Sequence, residues 1–130
     1  SDYPASILLS IAEHLLMGEM ALTQEKNVEA INHFTQAVTQ QDTLPYTEPP
    51  FWYYPTRQSL GQALIQAKKF AAAEQVYRKD LLAYPKNGWS MFGLIQSLQA
   101  QNKQQEAEKV QQMFDIVWNM ADVKLEASRM

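Results

Sequence analysis

The chain has no cysteine, and only four glycines and two histidines among its 130 residues. Without cysteine there is no disulfide framework, no thiolate metal site and no cysteine nucleophile, and either redox compartment is compatible. Scarce glycine beside fifteen alanines and fifteen glutamines points to helix, because glycine weakens helices while alanine and glutamine propagate them. A long uninterrupted apolar run is also missing. The stretch from Ile7 to Leu22 is broken by Ser10, Glu13, His14, Gly18 and Glu19, so it reads as a packed helix and not as a membrane span. It lacks the basic flank and small-residue cleavage site of a signal peptide. What is present, 46% hydrophobic and 19% charged residues, suits one globular domain with a core and excludes wholesale disorder.

Charge informs more by region than in total. Residues 1–53 carry seven acids against Lys26, a net of −6, and residues 54–130 carry ten bases against seven acids, a net of +3. The whole is acidic, with a pI near 5.3, and lacks the field that draws proteins to phosphate backbones. Lys68, Lys69, Arg78, Lys79 and Lys86 are grouped, but Glu74 and Asp80 interrupt them. They read as a solvated helix face, with no nucleic-acid partner.

An internal period organises the chain. Leu60-Gly61-Gln62-Ala63-Leu64 aligns with Leu94-Ile95-Gln96-Ser97-Leu98, and Lys69 and Ala73 align with Lys103 and Ala107, all at an offset of 34. Gly18, Ala30 and Phe34 align with Gly61, Ala73 and Tyr77 at an offset of 43. The nine extra residues fall in the proline- and aromatic-rich stretch 45–53. Three units follow, over about 11–44, 54–87 and 88–121, each expected to be two short antiparallel helices in a single all-α domain spanning 1–130.

The punctuation places the elements. Pro4 suits the start of a helix running to about Leu22. Asn27 reads as an N-cap, with Glu29 in the positive first turn, for a helix to about Gln41. Pro55 opens a third helix to about Ala67, and a fourth runs from about Phe70 to Ala83, stopped by Pro85 before a Lys86-Asn87-Gly88 turn. A fifth covers about 89–100. Asn102 with Gln105 has the form of a capping box for a sixth helix to about Ala121, after which the tail 122–130 is expected to fray.

A 34-residue helix–turn–helix with small residues at fixed offsets resembles the tetratricopeptide repeat. The second unit supplies Leu60-Gly61, Leu64, Ala73, Tyr77 and Pro85. The first supplies Met17-Gly18, Ala21, Ala30, Phe34 and Ala37, and the third Leu94, Leu98, Ala107 and Phe114, with Gln111 where an aromatic belongs. The run 48–94 also looks like the C-terminal repeats of longer bacterial proteins of this type. The resemblance implies three hairpins stacked in a short right-handed superhelix. It implies small residues at helix crossings, with Phe34 and Tyr77 filling the holes beside them.

Nothing in the sequence argues for catalysis. Ser59, Ser90 and Ser97 have no histidine in their units, Glu106 and Glu108 face different ways on a helix, and no phosphate-binding glycine loop is present. His14 and His33 lie on adjacent predicted helices without the three or four convergent ligands that a metal site needs, so they read as surface or interhelix residues. No catalytic residue, metal or cofactor is expected.

The resemblance puts recognition on the first helix of each unit. The chaperone-tail carboxylate clamp known in the family is absent, because its positions here hold Leu15, Glu19, Ser59, Trp89 and Gly93. What remains is a neutral row of Gln58, Gln62, Gln66, Gln96 and Gln99 flanked by Trp89 and Phe92. Amides can pair with peptide backbone and aromatics can anchor it. Phe92 is expected in the core, and Trp89 either in the core or at a partner. In the insertion, prolines exclude helix, and Trp52 and Tyr53 belong to an aromatic group that either caps the first hairpin or meets a partner.

The expected function is a non-enzymatic protein-interaction module binding a peptide or partner domain. The alternative is a C-terminal scaffolding domain of a larger enzyme or envelope assembly. The first helix is apolar around most of its circumference, and so is the last, through Val110, Met113, Phe114, Ile116, Val117, Trp118 and Met120. These terminal helices are expected to hold a second copy or a preceding domain.

Overall fold

The computed structural model describes residues 3–44 and 55–129, with side chains described for 5–44 and 55–120. The insertion 45–53, with Trp52 and Tyr53, lies outside the described residues. Within them the chain is all-helical, with α1 (Tyr3–Thr23), α2 (Asn27–Asp42), α3 (Thr56–Gln66), α4 (Phe70–Ala83), α5 (Gly88–Ala100) and α6 (Gln104–Arg129). It divides into two compact units, 1–69 and 70–130.

In the first unit α2 packs along α1, and α3 packs on α2 and touches α1. Ile11, Ala30, Phe34 and Ala37 are wholly buried. The helices come close because Gly18 has no side chain: a Cβ there would overlap the ring of Phe34. The small–aromatic pairing expected from the repeat pattern is realised at this crossing. Thr56 Oγ1 donates to Gln41 Oε1 at 2.7 Å, and Arg57 pairs with Asp42 at 2.6 Å, so the start of α3 is fastened to the end of α2.

In the second unit α5 lies between α4 and α6. Tyr77 of α4 lies over Gly93 of α5 so closely that a Cβ would again overlap the ring. Gly93 is a glycine that the repeat alignment does not single out. Burial, and secondarily the Asp80 carboxylate, push the Tyr77 hydroxyl up to about 12. Met91, Leu94 and Leu98 of α5 and Ala107 and Val110 of α6 complete this core.

One turn occurs three times. Glu25, Lys68 and Asn102 all adopt left-handed backbone, with φ of 61°, 62° and 63°, at offsets of 43 and 34. After each, a lysine N–H reaches back five residues. Lys26 donates to the Ala21 carbonyl at 2.9 Å, Lys69 to Leu64 at 2.8 Å and Lys103 to Leu98 at 2.9 Å. This six-to-one bond is the Schellman closure of a helix C-terminus.

Several boundaries differ from the sequence reading, each for a local reason. Asn27 is the first residue of α2 and not its cap; Lys26 occupies the cap position without a side-chain bond. The side chain of Asn27 accepts instead from Gln66 Nε2 at 2.9 Å. Asn102 cannot form a capping box, because its backbone is left-handed and closes the end of α5. Asn87 is the true cap of α5, its side chain accepting from the Trp89 and Ser90 N–H groups. The tail expected to fray continues as helix to Arg129.

Candidate functional site

Among the described residues the second unit holds two buried carboxylates and a row of aromatic rings. Asp80 and Ser90 are buried, and the Ser90 hydroxyl donates to Asp80 Oδ2, which also accepts from Asn87 Nδ2 at 3.2 Å. Both histidines of the chain belong to the first unit, so no imidazole in this unit serves the serine as a base. The trio fastens the start of α5 to α4.

Glu74 is the second buried carboxylate. Burial by itself would raise its pKa, but bonds from Arg78 at 2.7 Å, Lys103 at 3.0 Å and Gln101 at 3.0 Å outweigh that and lower it to about 2. Gln101 and Lys103 flank the left-handed Asn102, so this carboxylate fixes the α5–α6 turn against α4. A charge removed from water and enclosed by donors is structural here, since its acceptor atoms are engaged.

The recognition candidates of this unit all lie on α5, a helix without a single charged residue. Trp89 is 76% exposed and Phe92 49% exposed. Phe92, expected in the core, is corrected to a half-exposed ring. The ring meets Phe114 of α6 and leaves about half of the residue's surface in water. Its centroid is 6.5 Å from that of Phe114, which stacks at 5.9 Å and 13° on Trp118. Phe114 also lies against Gly88. Gln96 and Gln99 are exposed further along α5.

Phe114 and Trp118 are thus additions that the site reading missed, although both were visible as apolar residues of the final helix. The available signal was the turn. A hairpin folding back at Asn102 brings together residues at similar distances on either side, and Phe92 and Phe114 are ten and twelve positions away. The result is a row of three rings, Phe92, Phe114 and Trp118, on the α5–α6 hairpin.

The remaining candidates lie on α3 of the first unit. Gln62 is exposed, Gln58 is half-buried, and Gln66 is exposed and bonded to Asn27. The amide of Gln66 is therefore already engaged in holding α3 to the α1–α2 turn.

Large apolar side chains are exposed on both terminal helices, Leu9, Leu16, Met17 and Met20 on α1 and Met113, Ile116, Trp118 and Met120 on α6. α6 has 26 residues against thirteen in α5, about 39 Å against about 20 Å. Its neighbour is too short to cover it. By length and composition residues 5–23 of α1 are apolar enough to cross a membrane, with a mean hydropathy of 1.4. Of that stretch only Ile11, Gly18 and Ala21 are buried within the unit.

Among the described residues no three of His, Cys, Asp and Glu group as ligands for a metal ion. His14 and His33 nevertheless meet: their Nδ1 atoms are 3.1 Å apart, joining α1 to α2. Comparison with family models, curated proteins and solved structures gives no match for the chain.

Proposed function

We propose that this chain is a non-enzymatic protein-interaction module of tetratricopeptide-repeat type, which binds an uncharged stretch of partner polypeptide on the α5–α6 hairpin. The repeat reading draws support from the three left-handed turns at offsets of 43 and 34, and from the glycine–aromatic crossings at Gly18–Phe34 and Gly93–Tyr77. The binding reading rests on one observation: Trp89 and Phe92 are exposed on a helix that carries no charge. Large aromatic rings facing water are costly unless they have an occupant, and they anchor a partner with little loss of side-chain entropy.

In this reading Trp89 and Phe92 accept apolar side chains, and Phe114 backs Phe92 so that its ring does not rotate away. Gln96 and Gln99 donate to and accept from the peptide backbone. The glutamines of α3 form a separate polar row whose part in binding is tested independently. Capture of partner polypeptides by the immobilised protein, compared between wild type, Trp89→Ala, Phe92→Ala and Gln62→Ala, is the direct test. Losing a ring anchor costs about 2 kcal/mol or more, enough to abolish retention at unchanged helicity. Undiminished capture by both ring variants would remove the site from α5.

A second reading is a scaffolding domain of a larger assembly, holding neighbours or a second copy through its terminal helices. The exposure of Leu9, Leu16 and Met20 on α1 and of Met113, Ile116 and Met120 on α6 favours it. It is compatible with peptide binding on α5.

A further inference from the structure

We propose that His14 and His33 form a two-imidazole site for a late first-row divalent ion, Cu²⁺ foremost, that clamps α1 to α2. In sequence they are surface or interhelix residues without a ligand set, and nineteen residues separate them. The packing brings them together. Their Nδ1 atoms are 3.1 Å apart and their ring centroids 5.4 Å apart at a 35° tilt. Two nitrogens each bound at about 2.0–2.1 Å to one ion, at an angle between square and tetrahedral, are themselves about 2.9–3.4 Å apart. The observed separation lies inside that range.

The pair is held there by backbone packing more than by side-chain reach. Gly18 is one turn beyond His14, and Phe34 directly follows His33; the overlap-close contact of these two sets the register of α1 against α2. Ile11, Ala30, Phe34 and Ala37 beneath are fully buried. Both imidazoles are half-buried, so an ion can reach them, and the rings turn from the mutual N–H···N contact until both Nδ1 atoms face it. In the metal-free protein one Nδ1 carries the proton that bridges to the other. On binding, that proton moves to Nε2 of the same ring, and both Nδ1 lone pairs face the ion.

The ligand set identifies the class of ion. Hard cations such as Mg²⁺ and Ca²⁺ require oxygen donors, whereas imidazole suits copper, nickel and zinc, with Cu²⁺ bound most tightly in that series. Among the described residues no third His, Cys, Asp or Glu joins the pair, so water fills the other positions and the ion is exchangeable. Glu13, Glu19, Glu25, Glu29 and Asp42 against Lys26 on and between these helices give the neighbourhood a negative field suited to a cation. The site belongs to the first unit, whereas the peptide surface proposed on α5 belongs to the second.

The chain makes the test unusually clean, because it has two histidines and no cysteine. Titrating the intact metal-free protein with Cu²⁺ should give one ion per chain, a pulsed electron paramagnetic resonance signature of two equivalent imidazoles, and a raised melting temperature. His14→Gln and His33→Gln should each weaken binding at least tenfold and leave a one-imidazole signature. Mg²⁺ should do nothing. Two ions per chain with one imidazole each would overturn the proposal, as would undiminished affinity in either variant. The wild-type spectrum alone separates one imidazole from two, so a variant that folds poorly does not remove the test.

Discussion

Phe34 lies across Gly18 at so short a distance that a single added methyl group would enter its ring. The crossing of α1 and α2 is therefore specified by an absence on one helix and a bulk on the other. Gly18→Ala should destabilise the first unit by about 1–3 kcal/mol through overpacking, despite the better helix propensity of alanine. Gly93→Ala should act alike in the second unit, against Tyr77. Urea denaturation of each variant checks this. A gain in stability at either position would mean that the aromatic ring yields freely.

Glu74 predicts an acid limit for the second unit. Its carboxyl is lowered from 4.5 to about 2, so the folded state holds the ionised form more tightly than the unfolded chain does. The stabilisation is fully present above about pH 4.5 and disappears as the pH falls towards 2, on the order of 2–3 kcal/mol across that window. Glu74→Gln should flatten this part of the stability–pH profile and lower stability at neutral pH, where Arg78 and Lys103 would lose the carboxylate charge they share. Denaturation midpoints measured between pH 2 and pH 6 for both proteins give the comparison.

The left-handed turns predict stabilising substitutions. Glu25 and Lys68 hold a backbone conformation that L side chains adopt at a cost. Glu25→Gly and Lys68→Gly should each raise stability by about 0.5–1 kcal/mol, the relief of strain exceeding the added entropy of the unfolded chain. Asn102→Gly should gain less, since asparagine tolerates this region. Thermal melts rank the three.

Exposed Ile116 and Met120, one turn apart on α6, predict association. Light scattering across a hundredfold concentration range should show the mass rising with concentration. Ile116→Glu combined with Met120→Glu should return it to 14.9 kDa. A constant monomeric mass for the wild type would leave this face without a role between copies.

The helices were legible in the sequence because their apolar positions and breakers agree: α4 occupies Phe70–Ala83 as read, and the turns fall where the 34 and 43 offsets put them. The misreadings share a cause. Asn27, Asn87 and Asn102 are one residue type in three backbone settings: a helix start whose side chain bonds to a distant glutamine, an N-cap, and a left-handed closure. Propensity alone does not separate these, since each depends on which neighbour claims the amide. The same holds for the rings. Phe92 sits in an apolar pattern that implies burial, but about half of its surface stays in water. The meeting of His14 with His33 was out of reach for the same reason, because it is decided by the rotation of two helices about their axes.

The three turns share their bonds and differ in their letters, with glutamate, lysine and asparagine at the left-handed position. Such a turn is defined by whether a backbone loop closes, and many residues allow that. A helix end closed this way can exchange the residue at its left-handed position and keep its bonds, so its form is conserved by backbone geometry and not by one hallmark side chain.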